Sequence, residues 1–230
     1  MASTPIAPIH QDSLAELAYQ ALWSSIVEGR LGMGHRLVET TLARDLGISR
    51  GPVREALRRL YEDGLVEQQP RRGSFVRRFD VRDLIDIYNV RLAIETAAVR
   101  LVVRRGDSLA PLEQVIGGMR AAAERNDFAG VVAGEFTFHE RLFELASNEY
   151  LLQTFRSLAA QIRLALSLDN RTFQNLFDVV DEHVSLLEAL RAGDDTSAAR
   201  AIQDHIVSTV GAVLAEHGIS RDVLLAPLLT

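Results

Sequence analysis

Three histidines and one glutamate offer the strongest chemistry in this chain. His139 shares a helical stripe with Leu142, Phe143 and Ala146, and His183 lies on the face of Leu186, Leu187 and Leu190. His205 falls between Ile202 and Thr209, adjoining Ile206. All three are therefore expected to point into a helical interior, each from a different helix. Glu135 precedes His139 by four residues, which puts its carboxylate on the same face, with Cβ atoms about 5–6 Å apart. Three imidazoles and a carboxylate converging in a bundle suit a divalent transition metal, zinc first, with nickel or manganese as alternatives. A lone inward histidine is more often a hydrogen-bonded core residue than a ligand, so spacing by itself leaves both readings open. His10, His35 and His217 fall in a tail, a loop and a helix end and are given no role.

Arg91 poses a related question. It sits on the apolar stripe of Leu84, Tyr88, Ala98 and Val102, where a guanidinium needs a partner. Glu95, four residues on, is one candidate. The carboxylate of an anionic effector, held bidentately, is the other.

A second kind of chemistry lies upstream. Glu39 to Leu60 reads as two helices around a tight turn. Leu42 and Leu46 supply the apolar contacts of the first, and Gly47 suits a left-handed C-terminal position. Ser49 is placed to cap the second helix by accepting from the Gly51 amide. Pro52 falls in the first turn, where its missing N–H has no helical partner in any case. Val53, Ala56, Leu57 and Leu60 form the buried stripe. Arg50, Arg54 and Arg58 then follow i, i+4, i+8 spacing on an exposed flank. Guanidinium groups at successive helical turns suit the major groove of DNA. Leu65–Gln69 and Ser74–Arg78, joined by Pro70-Arg71-Arg72-Gly73, read as a β-hairpin, a wing with Arg71 and Arg72 at its tip beside Gly73.

These features need two kinds of scaffold. Upstream, 14–28 is a helix with Leu14, Leu17, Ala18, Ala21, Leu22 and Ile26 on one stripe. From Val81 onward the periodicity predicts amphipathic helices at about 82–104, 109–125, 128–147, 150–168, 172–192 and 195–216, punctuated by Gly106, Asn126-Asp127, Asn148 and Gly193. The fold expected is mainly α. A winged helix-turn-helix over 1–79 precedes an all-helical antiparallel bundle of six or seven helices over 80–230.

Composition agrees with this division. The 230 residues are 47% hydrophobic, enough for a real core, and carry a net charge of −6. Residues 1–80 hold 11 Arg against 10 Asp and Glu, whereas 81–230 hold 14 against 21. Within Arg44–Arg78 there are 9 Arg and 5 acids, a basic patch on an acidic body. There is no cysteine, which removes disulfides and thiolate chemistry. No run of eighteen apolar residues suggests a membrane span, and Met1–Ser13 lack the pattern of a signal peptide, so a cytoplasmic protein is expected.

Leu42-Ala43-Arg44-Asp45-Leu46-Gly47-Ile48-Ser49-Arg50, with Pro52-Val53-Arg54-Glu55-Ala56-Leu57, resembles the winged-helix signature of GntR-family transcription regulators. Gly64-Leu65-Val66 and Arg72-Gly73-Ser74-Phe75-Val76 extend the likeness over about residues 14–78. Gly32-Met33-Gly34-His35 departs from the family's usual Pro-Gly turn. The resemblance implies DNA contacts by Arg44, Arg50 and Arg54, with Gly73 setting the wing tip in the minor groove. Glu135-x-x-Phe138-His139, Asn148, Glu182-His183 and His205 resemble the metal-binding pattern of the FCD domain, the effector module of the FadR-type subgroup. That pattern usually begins with Asp, where this chain has Glu135. By the same resemblance, Arg91 and Asn148 line an effector pocket. The implied protein is a homodimeric repressor that binds double-stranded operator DNA and is released by a small carboxylate. A metal-free regulator of the same family is the alternative. A metal-dependent enzyme is the other, although no second catalytic group is positioned for one.

Overall fold

The computed structural model describes residues 14–169, 175–216, 218–220 and 223. His10, His217 and residues 172–174 of the expected fifth bundle helix lie outside them. The chain divides between Arg78 and Phe79 into two compact units.

In the first unit α1 (Leu14–Val27) packs on α3 (Arg50–Glu62) through Ala18, Leu22 and Ile26. Leu14 and Leu17, placed by periodicity on the same stripe, are instead about half exposed, at 53% and 49%. The helix turns onto the core only from Ala18 onward. α2 (Glu39–Leu46) ends at Gly47, whose φ of 67° lets its amide reach the Ala43 and Arg44 carbonyls. The fully buried residue of α2 is Ala43, with Leu42 and Leu46 only half buried. α3 buries Val53, Ala56, Leu57 and Leu60, as its spacing requires.

β2 (Val66–Gln69) and β3 (Gly73–Val76) form the hairpin, pairing Val66 with Val76 and Gln69 with Gly73. Arg71 (φ 63°) and Gly73 (φ 99°) take the left-handed backbone that closes it. A third strand, β1 (Arg36–Leu37), pairs antiparallel with the other edge of β3, giving the order β1-β3-β2. Two residues are too short to show any alternation, so the sequence carries no sign of this strand.

Among the described residues the second unit holds seven helices: α4 (Val81–Arg105), α5 (Ala110–Glu124), α6 (Phe128–Ala146), α7 (Glu149–Ser157), α8 (Ala159–Asp169), α9 (Leu176–Arg191) and α10 (Asp195–Glu216). Their ends are set by local chemistry. Asp80 and Asp83 form a reciprocal capping box at the start of α4. Asp127 accepts from the Gly130 amide at 2.9 Å to open α6, and Asn175 accepts from the Phe177 amide to open α9. The stretch 150–168, read as one helix, breaks at Leu158, whose amide tightens to the Phe155 carbonyl at 3.1 Å. Neither Gly nor Pro marks that break. α4 packs against α10 and α6, and α9 against α10 and α5, around one continuous core from Leu84 to Leu214. α6 also lies close on α5, where a Cβ on Gly134 would collide with Met119.

Phe155 anchors α7 to α6 by stacking on Phe136 at 5.2 Å and tilting against Phe143 at 4.7 Å between ring centroids. Phe155→Ala is expected to lower stability by about 3–5 kcal/mol, read from the urea midpoint of helical circular dichroism. A loss below about 1 kcal/mol would mean that α7 is held by something else.

Candidate metal centre and nucleic-acid interface

α6, α9 and α10 each bring one histidine to the middle of the second unit. His139, His183 and His205 are buried, as is Glu135 one turn before His139. One ligand atom from each of the four lies within 4.8 Å of all the others. The His139 and His205 rings stack at 5.3 Å, and His183 meets His205 edge-on at 4.7 Å. Phe138 closes one side, its ring 4.9 Å from that of His183.

The hydrogen bonds around this cluster settle which nitrogens face inward. His183 Nδ1 lies 2.8 Å from the Val179 carbonyl, an acceptor, so Nδ1 carries the proton and Nε2 the lone pair. His183 Nε2 is buried without a hydrogen-bond partner among the described residues. Arg91 Nη2, which can only donate, lies 3.1 Å from His139 Nε2, so that nitrogen also carries its lone pair. The proton of His139 then sits on Nδ1, 2.5 Å from Glu95 Oε2. His205 Nε2 is 3.4 Å from His139 Nε2, while its Nδ1 faces Glu182 Oε2 at 3.4 Å. Backing of the outer nitrogen by a carboxylate or carbonyl is the arrangement that orients imidazole toward a metal.

Burial pushes all three imidazoles toward the neutral form, His205 to about 3. Burial alone would raise the Glu95 carboxyl, but Arg91 and His139 outweigh it and hold Glu95 at about 2. The cluster therefore presents neutral imidazoles at pH 7, with the His139 lone pair engaged by Arg91. The donor set fits a borderline transition ion: imidazole suits zinc or nickel, and the carboxylate admits manganese.

Arg91 is completely buried and pairs with Glu95, Nε to Oε1 at 2.7 Å. Its Nη1 has no partner among the described residues, and neither does the buried hydroxyl of Tyr88, whose ring lies 5.0 Å from the guanidinium. Asn148, expected at the effector pocket, stands at the N-cap of α7, where its side-chain oxygen accepts from the Leu151 amide at 3.2 Å. Spacing along α4 marks Glu95 only as a partner for Arg91. Its second contact, to His139, crosses from α4 to α6 and leaves no trace in local spacing.

On the first unit, α3 and the wing border a cleft of about 450 Å³ lined by Arg36, Glu39, Arg50, Arg54, Gly73 and Ser74. Arg50, Arg54 and Arg58 form the expected exposed flank, but acids hold all three. Arg54 makes a two-point fork to Glu39 at 3.1 and 3.0 Å, and Arg50 reaches the same carboxylate at 3.5 Å. Arg58 is held by Glu55 and Glu62. Arg44 pairs with Asp45 at 3.0 Å, and Arg72 lies over the Phe75 ring. Exposed pairs of this kind are worth about 0–1 kcal/mol, so phosphate or guanine can displace them readily. Glu39 precedes the two arginines it holds by 11 and 15 residues, a separation that only the folded turn brings together. Ser49 does occupy the N-cap of α3, yet its side chain makes no capping bond. Pro52 stands at N3 and has no N–H, which removes one of the two amides a capping side chain can use. The exposed hydroxyl is left facing solvent.

The bacterial regulatory protein gntR-family profile matches residues 14–76, and the FCD domain profile matches residues 86–208. The chain belongs to the GntR family, with a C-terminal FCD domain. It is 32% identical to a probable D-xylose utilization operon transcriptional repressor of Paenarthrobacter nicotinovorans, covering 84% of this chain and 85% of the relative. It is 35% identical to the Nta operon transcriptional regulator of Aminobacter aminovorans, over 72% and 79% of the two chains. Among solved structures, a GntR transcriptional regulator from Rhodococcus sp. RHA1 superposes with a TM-score of 0.75 over 89% of this chain and 99% of its own, at 24% identity. The relatives are regulators, not enzymes, and this chain is a DNA-binding transcription regulator. Among the described residues no helix is long and apolar enough to cross a membrane.

Arg91→Ala leaves the Glu95 carboxylate buried without its cation. The expected loss is about 3–5 kcal/mol, measured by urea unfolding. Replacing Arg91 and Glu95 together with Leu should recover most of that loss. If the single and double variants unfold alike, the pair does not carry the local electrostatics.

Proposed function

We propose that this regulator is a repressor that holds its operator as a homodimer and releases it when a small carboxylate binds at a metal in the helical unit. The observation that carries this reading is the convergence of the Glu135 carboxylate and three imidazoles whose outer nitrogens face a carbonyl or carboxylate. Glu135, His139, His183 and His205 would hold the ion, zinc first, with nickel or manganese as alternatives. Such an ion supplies Lewis-acid coordination for carboxylate oxygens. Glu135 fills the place usually taken by Asp, and its extra methylene lengthens the reach to the ion.

Arg91 supports a carboxylate as effector, because its unpartnered Nη1 is buried beside the cluster and suits an anion. Tyr88 adds a buried hydroxyl one turn away on the same helix face. Asn148 keeps an amide nitrogen beyond its capping oxygen. The repressor assignment follows relatives that bear that name, the D-xylose operon protein and RspR of Escherichia coli.

At the DNA, residues 1–79 present Arg50, Arg54 and Arg58 from the recognition helix to the major groove. Arg44 and Ser49 meet the backbone, and Arg72 and Gly73 carry the wing tip toward the minor groove. A dimer reads a pseudo-palindrome with half-sites about one helical turn apart. Effector bound within 80–230 acts only through different affinities for two arrangements of the dimer. A protein working on chromosomal DNA in this way is cytoplasmic. The Arg91–His139 hydrogen bond favours a second reading, in which the pocket is metal-free and the histidines serve as core or effector contacts.

Two measurements test the proposal. Protein purified without affinity tag or chelator is expected to carry close to one metal per chain, lost in a His183→Ala variant that still unfolds cooperatively. No metal after incubation with zinc, nickel and manganese overturns the centre. Arg54→Ala is expected to weaken operator binding by about 1–3 kcal/mol in a mobility-shift titration at fixed salt. Unchanged affinity in the folded variant overturns the recognition-helix assignment.

A further inference from the structure

The hydrogen bond between Arg91 and His139 is at odds with metal binding, and that conflict is informative. A neutral imidazole has one lone pair. Arg91 Nη2 already uses that of His139 Nε2, at 3.1 Å. His139 can give the lone pair to an ion only by breaking this bond. Nothing else in the guanidinium need let go, because Nε stays on Glu95 Oε1 at 2.7 Å. Arg91 can therefore pivot about its Nε contact without leaving the core. After the pivot, Nη2 joins Nη1, which has no partner to begin with. Together they present a two-pronged donor edge of the kind that takes a carboxylate.

We propose that Arg91 is the internal placeholder of the metal centre: it occupies the His139 lone pair when no ion is held, and becomes an anion-binding fork only once the ion is in place. This rests on the metal reading of Glu135, His139, His183 and His205. It goes further in making the anion site conditional on the metal. A guanidinium beside a divalent cation in a low-dielectric interior is repelled unless an anion lies between them. The loaded centre thus calls for a carboxylate. By linkage, a carboxylate raises metal affinity by the same factor that the metal raises carboxylate affinity. None of the three acids on the network is left for this role, since Glu95 and Glu182 face the outer nitrogens of His139 and His205 and Glu135 is itself one of the ligands in this reading.

The test is a set of nickel and zinc dissociation constants, measured by competition with a chelating dye in the full-length protein. It compares wild type, Glu95→Gln, and the double variant Arg91→Met with Glu95→Gln. The glutamine can still accept from His139 Nδ1, and the double variant removes the uncompensated charge that Glu95→Gln alone leaves on Arg91. Against Glu95→Gln, the double variant is expected to bind either metal about tenfold to a hundredfold more tightly, because a hydrogen bond to a charged donor no longer competes. Equal or weaker binding overturns the placeholder while leaving the metal centre standing. Absence of metal from all three proteins overturns the centre itself. Circular dichroism on heating checks that each variant is folded. If the double variant is not, Arg91→Lys takes its place: lysine keeps a cation for Glu95 with a shorter reach and no fork, and the same gain in affinity is expected.

Discussion

The orientation of His139 at the middle of the helical unit depends on the ionic contact between Arg91 and Glu95. Both side chains are completely buried, and removing each charge from water carries a penalty of several kcal/mol. Their geometry offsets that penalty and at the same time orders a third group. With one oxygen on Arg91 and the other facing His139, Glu95 holds the imidazole proton on Nδ1. That single choice turns the His139 lone pair inward. Without it, His139 could expose an N–H to His183 and His205, and the cluster would present no common focus. A pair of opposite charges on α4 thus sets the tautomer of His139 on α6, while the Val179 carbonyl and Glu182 face the outer nitrogens of His183 and His205.

The same residue type serves the opposite purpose in the other unit. Arg50, Arg54 and Arg58 have side chains 56–64% exposed, and their acidic partners lie on the surface. Solvent and salt reduce such pairs to a fraction of a kcal/mol, so they orient the arginines without binding them. Glu39 is the clearest case. Its carboxylate gathers Arg50 and Arg54 at the edge of the cleft beside the wing, so this face of α3 is partly ordered by the chain itself. A buried version of that contact would resist the exchange that DNA binding requires.

What could be read from the chain follows the range of the interaction involved. Helical periodicity placed His139, His183, His205 and Arg91 in the interior, because burial in an amphipathic helix is a local property repeated every three or four residues. The turn through Gly47 and the stripe of Val53, Ala56, Leu57 and Leu60 were legible for the same reason. Contacts that join distant segments were not. Glu39 with Arg54, Glu95 with His139 and the two-residue strand β1 depend on how elements meet, and no spacing within one element encodes that. The break at Leu158 is similar, since no residue there forbids a helix and only tertiary packing divides α7 from α8. Ser49 is a different case: it takes the N-cap position its spacing predicts, yet its side chain makes no bond to the Gly51 amide, which Pro52 leaves in place.

The two energy scales bear on how one unit could govern the other. Moving a two-state equilibrium from one hundredth occupancy to near completion takes a ligand about 10⁴-fold selective between states, or about 5.5 kcal/mol. No exposed pair on the DNA-facing surface could supply that, and none needs to. In the buried network each hydrogen bond to a charged group is worth about 1.5–3 kcal/mol, so an exchange at Arg91 would supply a large share of that difference where a surface pair would not. Regulation is therefore best sought where the chain keeps its charges from water. Recognition is best sought where it leaves them in water.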